Sequence, residues 1–191
     1  MGNAIPFEVF VRLVVKFSSD PTSVMEVTWD SPCGTTVKKP LALWERPSRE
    51  MLTNLADAGE NGASGAITQM PILGNIKNPF GDVQDTAVGP DRYGHGYYKA
   101  VTGSNITVEL RASNHSGIYQ YTFPAEHTAN VIVDISHVFQ PSQGQELTYK
   151  AGAFEVLSDR SYKGTGHYIG RNESAHNVSF CGYFDNAVDG K

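Results

Sequence analysis

The chain has 191 residues and a formal net charge of -5, from 15 basic and 20 acidic side chains. That length accommodates one domain with a substantial core. The basic residues are scattered rather than gathered into a stripe, which argues against nucleic-acid binding, and no apolar run approaches the roughly 20 residues that cross a bilayer as a helix.

Hydrophobic residues make up 40% and charged residues only 18%, with 19 Gly, 10 Pro, 9 Tyr and 9 Phe. This mix suits a turn-rich, mainly β chain. Residues 1–50 read as an irregular N-terminal arm. Within it, Phe7 to Phe17 alternates enough to be one strand, but carries Glu8, Arg12 and Lys16. It has neither the basic start nor the small-residue cleavage site of a signal peptide. Pro21, Pro32, Pro40 and Pro47 then punctuate the chain, and proline fixes φ and removes a backbone donor. A short helix is predicted over Arg46 to Leu55, capped by Ser48.

The second region, residues 51–191, reads as a β-sandwich domain. It opens on Asp57 to Gly65, predicted to be a loop because its glycines are costly to order. A short apolar piece, Ala66 to Leu73, leads into a stretch of turn dipeptides: Gly74-Asn75, Asn78-Pro79 and Gly89-Pro90. Strands are then predicted at Tyr97–Val101, at Ile106–Ser113 by its alternation, and at Ile118–Phe123, stopped by Pro124. Asn130–Ile135 is a continuous β-branched run, suited to a strand covered on both faces. Leu147–Leu157 and Asn177–Phe184 supply two more. Strands recurring at about ten-residue intervals with turn residues between them indicate an antiparallel β-sandwich.

Few residues announce chemistry. The six histidines form no HExxH pair, and Gly62-Ala63-Ser64-Gly65 lacks the GxSxG spacing of a nucleophile elbow. Lys163-Gly164-Thr165-Gly166 imitates a phosphate loop without its strand-to-helix context. Cys33 and Cys181, 148 positions apart, are most simply two ordinary thiols, with a pairing left open. Among the carboxylates, Asp134 interrupts an apolar run and is expected to be buried and hydrogen-bonded. Glu109 falls on the polar face of its strand. No pair stands out as flanking a scissile glycosidic bond. Four sequons, at Asn105, Asn114, Asn172 and Asn177, are candidate glycan acceptors.

Residues 55–185 resemble the N-terminal domain of glycoside hydrolase family 92 in its fungal secreted form. The resemblance is carried by Leu55-Ala56-Asp57-Ala58-Gly59, by Ala66-Ile67-Thr68-Gln69-Met70-Pro71, and by Gly74-Asn75-Ile76 with Asn78-Pro79. Further on it rests on Gly96-Tyr97-Tyr98-Lys99-Ala100, Ile106-Thr107-Val108-Glu109-Leu110 and Gly117-Ile118-Tyr119-Gln120-Tyr121-Thr122-Phe123-Pro124. Val133-Asp134-Ile135-Ser136-His137-Val138 and Phe180-Cys181-Gly182-Tyr183-Phe184-Asp185 complete it. The chain departs from the family at Ala56, where a histidine is usual, and lacks the opening Phe-Pro-Gly-Ala motif.

The resemblance implies an inverting, calcium-dependent exo-α-mannosidase acting on mannose-containing glycans in the secretory pathway or outside the cell. It implies a β-sandwich that shapes the sugar pocket through its Gly-rich loop, here Asp57 and Gly59. The catalytic carboxylates and most calcium contacts are expected in a helical-barrel domain beyond Lys191. Neither catalytic residues nor calcium ligands are therefore expected in this chain, which reads as a fragment inactive alone. Two other readings compete: a stand-alone sugar-binding module, in which Tyr97, Tyr98, Tyr119 and Tyr121 offer an aromatic platform, and a structural or interaction domain.

Overall fold

A computed structural model describes residues 12–17, 22–28, 56–59, 62–65, 67–78, 83, 85–94, 96–112, 116–125, 127–136, 148–170 and 175–190. All regular structure among them is strand. In chain order these are β1 (Arg12–Phe17), β2 (Thr22–Thr28), β3 (Ala56–Gly59), β4 (Gly62–Gly65), β5 (Thr68–Leu73), β6 (Arg92–Gly94) and β7 (Tyr97–Val101). Then come β8 (Thr107–Ala112), β9 (Ser116–Thr122), β10 (Ala129–Asp134), β11 (Thr148–Ser158), β12 (Ser161–Ile169), β13 (Ala175–Phe184) and β14 (Val188–Gly190). The helix predicted over Arg46 to Leu55 lies outside the described residues.

Two antiparallel sheets form the sandwich. The larger runs β11-β12-β13-β2-β9-β8-β7-β6 and the smaller β14-β1-β10-β5. The segment expected to be an arm thus supplies a strand to each sheet. β1 pairs with β10 (Phe17 opposite Ala129), while β2 lies between β13 and β9. Residues 1–11, 18–21 and 29–55 fall outside the described residues, and with them Phe7 to Val11 of the expected strand.

Period-two alternation decides what each strand buries. Tyr98 and Ala100 on β7, Val108 and Leu110 on β8, and Tyr119 and Tyr121 on β9 point into the sandwich. They meet Val131, Val133 and Ile135 from β10 and its end, and Phe17 from β1. Phe17 packs edge-on against Phe184 at 5.8 Å, linking the two layers by their rings. β10 is buried along its whole length, as its β-branched run predicts. Its outer-facing Ile132 is covered by Met70, Ile72, Ile76 and Val83. Fully burying side chains of this size contributes about 1.5–3 kcal/mol each.

Five tyrosines, Tyr98, Tyr119, Tyr121, Tyr162 and Tyr168, lie in this core, and their polar tips must be matched or stay neutral. Tyr121 donates to Gln69 Oε1 at 2.9 Å, and Tyr168 donates to the Ile135 carbonyl at 2.8 Å. Both bonds span the two sheets. Burial, reinforced by neighbouring phenols, pushes the hydroxyls of Tyr121 and Tyr162 far above the ordinary tyrosine value. Burial likewise raises Tyr168, with Tyr149 and Asp134 adding to it.

The sequence pattern predicts no strand over β12, which holds Gly164 and Gly166. The glycines exist to make room for rings. A Cβ on Gly164 would stand 2.5 Å from Phe180 Cζ, and one on Gly166 2.5 Å from the Tyr168 hydroxyl. Gly182 on β13 is tighter still, with Tyr162 Cε1 at 2.1 Å. Strand glycine here marks a close approach of side chains rather than a turn.

Candidate functional site

The expected loop over Asp57 to Gly65 is instead a hairpin. β3 and β4 form a separate two-stranded sheet, with Asp57 opposite Ser64 and Gly59 opposite Gly62. Glycine weakens a strand but does not forbid one when two short runs pair across a two-position connection. Asp57 and Gly59 therefore sit on one strand, two positions apart. Just beyond β4, Ile67 adopts φ of 58° while almost fully buried. A β-branched residue in that region is strained by about 1–3 kcal/mol, and it fixes the direction in which the chain leaves the hairpin for β5.

Asp134, Glu109 and Asp85 turn to protein partners. Asp134 is fully buried, and its Oδ1 accepts from the Ser136 N–H at 2.8 Å and the Ser136 hydroxyl at 2.6 Å. Glu109 points outward from β8 as expected. It accepts from Tyr97 Oη and from Lys99 Nζ, each at 2.8 Å. Lys99 and then Tyr97 hold its carboxyl below the usual range. Arg111 lies over the Tyr97 ring at 5.4 Å, so this cluster is internally satisfied. Asp85 clasps the turn before β8, accepting from Thr86 N–H at 2.8 Å and Ser104 N–H at 3.2 Å. Burial pushes the Asp85 carboxyl up, but hydrogen bonds from Thr102, Thr86 and Ser104 outweigh it and lower it.

That clasped turn carries Asn105, exposed and at φ of 60°. Asn177 lies on β13, with its Oδ1 2.6 Å from His167 Nδ1. Asn114 and Asn172 lie outside the described residues. The tyrosine platform fails for a simple reason of parity. Tyr98, Tyr119 and Tyr121 are core residues and only Tyr97 faces outward. The two-thiol expectation is also corrected, since Cys181 is disulfide-bonded. The only other cysteine in the chain, Cys33, lies outside the described residues.

A groove unmarked by any sequence motif lies on the outer face of β11, β12 and β13. Its volume is about 700 Å³. Glu155 stands opposite Lys163 in register, and their side chains pair at 2.8 Å. Beside them Thr165 stands opposite Ser179. Leu157 and Tyr183, both substantially exposed, line the same groove. Alternation on β11 and β13 is the sequence signal that places these side chains outward, but nothing in the sequence says that they line one depression.

Among the described residues no cluster of three or more His, Cys, Asp or Glu side chains is placed to hold a metal ion. The described side chains therefore do not fit the calcium that the resemblance implies.

Sheet order, core and site together define an all-β domain in which Asp85, Glu109, Asp134 and Glu155 are engaged with its own structure. Residues 51–191 match the glycosyl hydrolase family 92 N-terminal domain, and the chain belongs to that family. It carries the non-catalytic domain of a glycosidase family. No curated protein and no solved structure matches the chain.

Proposed function

We propose that this domain serves a calcium-dependent exo-α-mannosidase as its non-catalytic N-terminal part, contacting mannose-containing glycans without cleaving them. The observation that carries the reading is the family match over residues 51–191. Asp57 and Gly59, both on β3, are the residues proposed to approach sugar. The carboxylate accepts hydrogen bonds from hydroxyls, and the glycine lets a backbone amide come close. The general acid and general base belong to a helical-barrel domain outside this chain. Inverting hydrolysis needs both, held about 6.5–9.5 Å apart across the sugar. Passage through a secretory pathway fits the exposed Asn105 turn as a glycan acceptor, and a mass loss at Asn105 on enzymatic deglycosylation would check it.

The deciding experiment incubates the purified chain with an aryl α-mannoside, with and without calcium. No release of the aryl group is expected in either condition. Calcium-dependent release that survives repurification would overturn the non-catalytic assignment.

A further inference from the structure

We propose that the chain's own residues 29–33 dock on the outer face of β13, held there by a disulfide between Cys33 and Cys181. The bond ties an early strand of the large sheet to a late one and makes the stability of the sheet depend on redox conditions. This docking is independent of the carbohydrate reading above.

Three observations carry it. The first is cysteine count. Cys181 is disulfide-bonded, and Cys33 is the only other cysteine in the chain. The second is parity. Phe180 and Phe184 of β13 lie in the core, and Gly182 lies under the Tyr162 ring. The alternate positions, Cys181 and Tyr183, therefore face outward. The third is burial. Tyr183 is 40% exposed, and the side chain of Lys163, opposite Cys181 in register, is 47% exposed. Cys181 beside them is only 4% exposed. An outward side chain with open neighbours is covered from above, and its covalent bond says what covers it.

Register fixes where the cover comes from. β2 ends at Thr28, which stands opposite Cys181 itself. Cys33 follows five positions later. Continued straight as a strand, those five residues would carry it roughly 17 Å past Thr28. A disulfide holds its two Cα atoms within about 7 Å. The segment therefore doubles back after Thr28, on the side to which the Cys181 side chain points. Asp30, Ser31 and Pro32 are residue types suited to such a reversal.

The cross-tie closes a loop of 148 positions, long enough for cross-linking to constrain the unfolded chain strongly. Its formation takes two protons and two electrons from the two thiols. They pass to a disulfide-bearing oxidant, an oxidised dithiol protein, which leaves as a dithiol. Bonds of this kind persist in oxidising compartments and are rare where thiols are kept reduced. Full stability of the domain is expected only in the first setting.

The test uses the purified full chain. Tryptic digestion without reductant is expected to give residues 17–38 joined to residues 172–191, from protein that runs as a monomer on a non-reducing gel. Free thiols at Cys33 and Cys181, or a link found only in dimers, would overturn the pairing. Reduction of the unaltered chain is expected to lower the thermal unfolding midpoint by about 5–15 °C. Cys33→Ser should lower it equally and make it indifferent to reductant. An unaltered chain whose midpoint ignores reductant would overturn the redox dependence. The docking is read from Cys181 in Cys33→Ser, the one thiol left in that variant. It is expected to react with an aromatic disulfide reagent in native buffer at a rate within about tenfold of that in urea, as an uncovered thiol does. A thiol that stays inert until the chain unfolds would overturn the docking, because something other than this bond would then keep Cys181 buried.

Discussion

At the scale of single residues, glycine carries much of the packing in the larger sheet. Gly182 lies under the Tyr162 ring, whose Cε1 and Cζ would stand 2.1 and 2.2 Å from an added Cβ. The ring cannot swing away. It stacks on Phe184 at 5.4 Å and meets Phe180 edge-on at 6.0 Å. Gly182→Ala is therefore expected to lower stability by about 1–3 kcal/mol. Gly94→Ala, where an added Cβ meets nothing within 4 Å, should stay within about 0.5 kcal/mol. Urea unfolding of the two variants side by side checks the contrast. Equal midpoints would show that the core around Tyr162 yields more easily than these distances imply.

At the scale of elements, β9 and β12 bring phenols into the core, and alkali exposes that choice. Tyr121, Tyr162 and Tyr168 have hydroxyls raised above their ordinary value, each chiefly by burial. In the unfolded chain a phenol ionises near pH 10. Below that, both states hold the proton and the folded state keeps its full stability. Above it, the unfolded state ionises while the folded state does not, so stability falls as pH rises. The slope reaches about 1.4 kcal/mol per pH unit for each such phenol. Unfolding midpoints are thus expected to drop steeply above about pH 10. Some of the nine tyrosines should give phenolate absorbance only as the chain unfolds. If all nine titrated together in the folded protein, the burial argument would fail.

The same elements show what could be read in advance. β7 was predicted at its observed bounds, and β10 was recognised as covered on both faces. In both, side-chain pattern and burial agree. β12 and the β3–β4 hairpin were missed because glycine reads as a break. In β12 the glycines seat rings: Gly164 the Phe180 ring of β13 and Gly166 the Tyr168 ring of its own strand, which no turn-residue pattern reveals. The tyrosine platform was misread for a related reason. Alternation assigns Tyr119 and Tyr121 to one face of β9 but does not say which face is the core. The groove residues of β11, β12 and β13 meet across strands and so left no linear motif.

At the scale of the whole molecule, the family match begins at residue 51, but the sandwich does not. β2 pairs with β13 on one side and with β9 on the other. β1 pairs with both β14 and β10. A chain of residues 51–191 would leave a gap in each sheet and uncover the core around Phe17 and Phe184. It is expected to show no cooperative unfolding transition, whereas the full chain should. Near-ultraviolet circular dichroism during urea unfolding distinguishes them. A cooperative transition in the shorter chain would mean that the two early strands are dispensable.

The position of β2 also sets a clock. Thr28 pairs with Cys181, a residue added 153 positions later. At ~5–20 residues per second, a ribosome needs roughly 8–30 s to cover that distance. For that time one backbone edge of β2 has no strand to meet, even if β9 has already joined the other. Open strand edges invite pairing with other chains, and long-range pairing of this kind folds slowly. The large sheet is thus closed at its centre by one of its last strands to be made, and a nascent chain stalled before β13 exposes that unpaired edge to its neighbours.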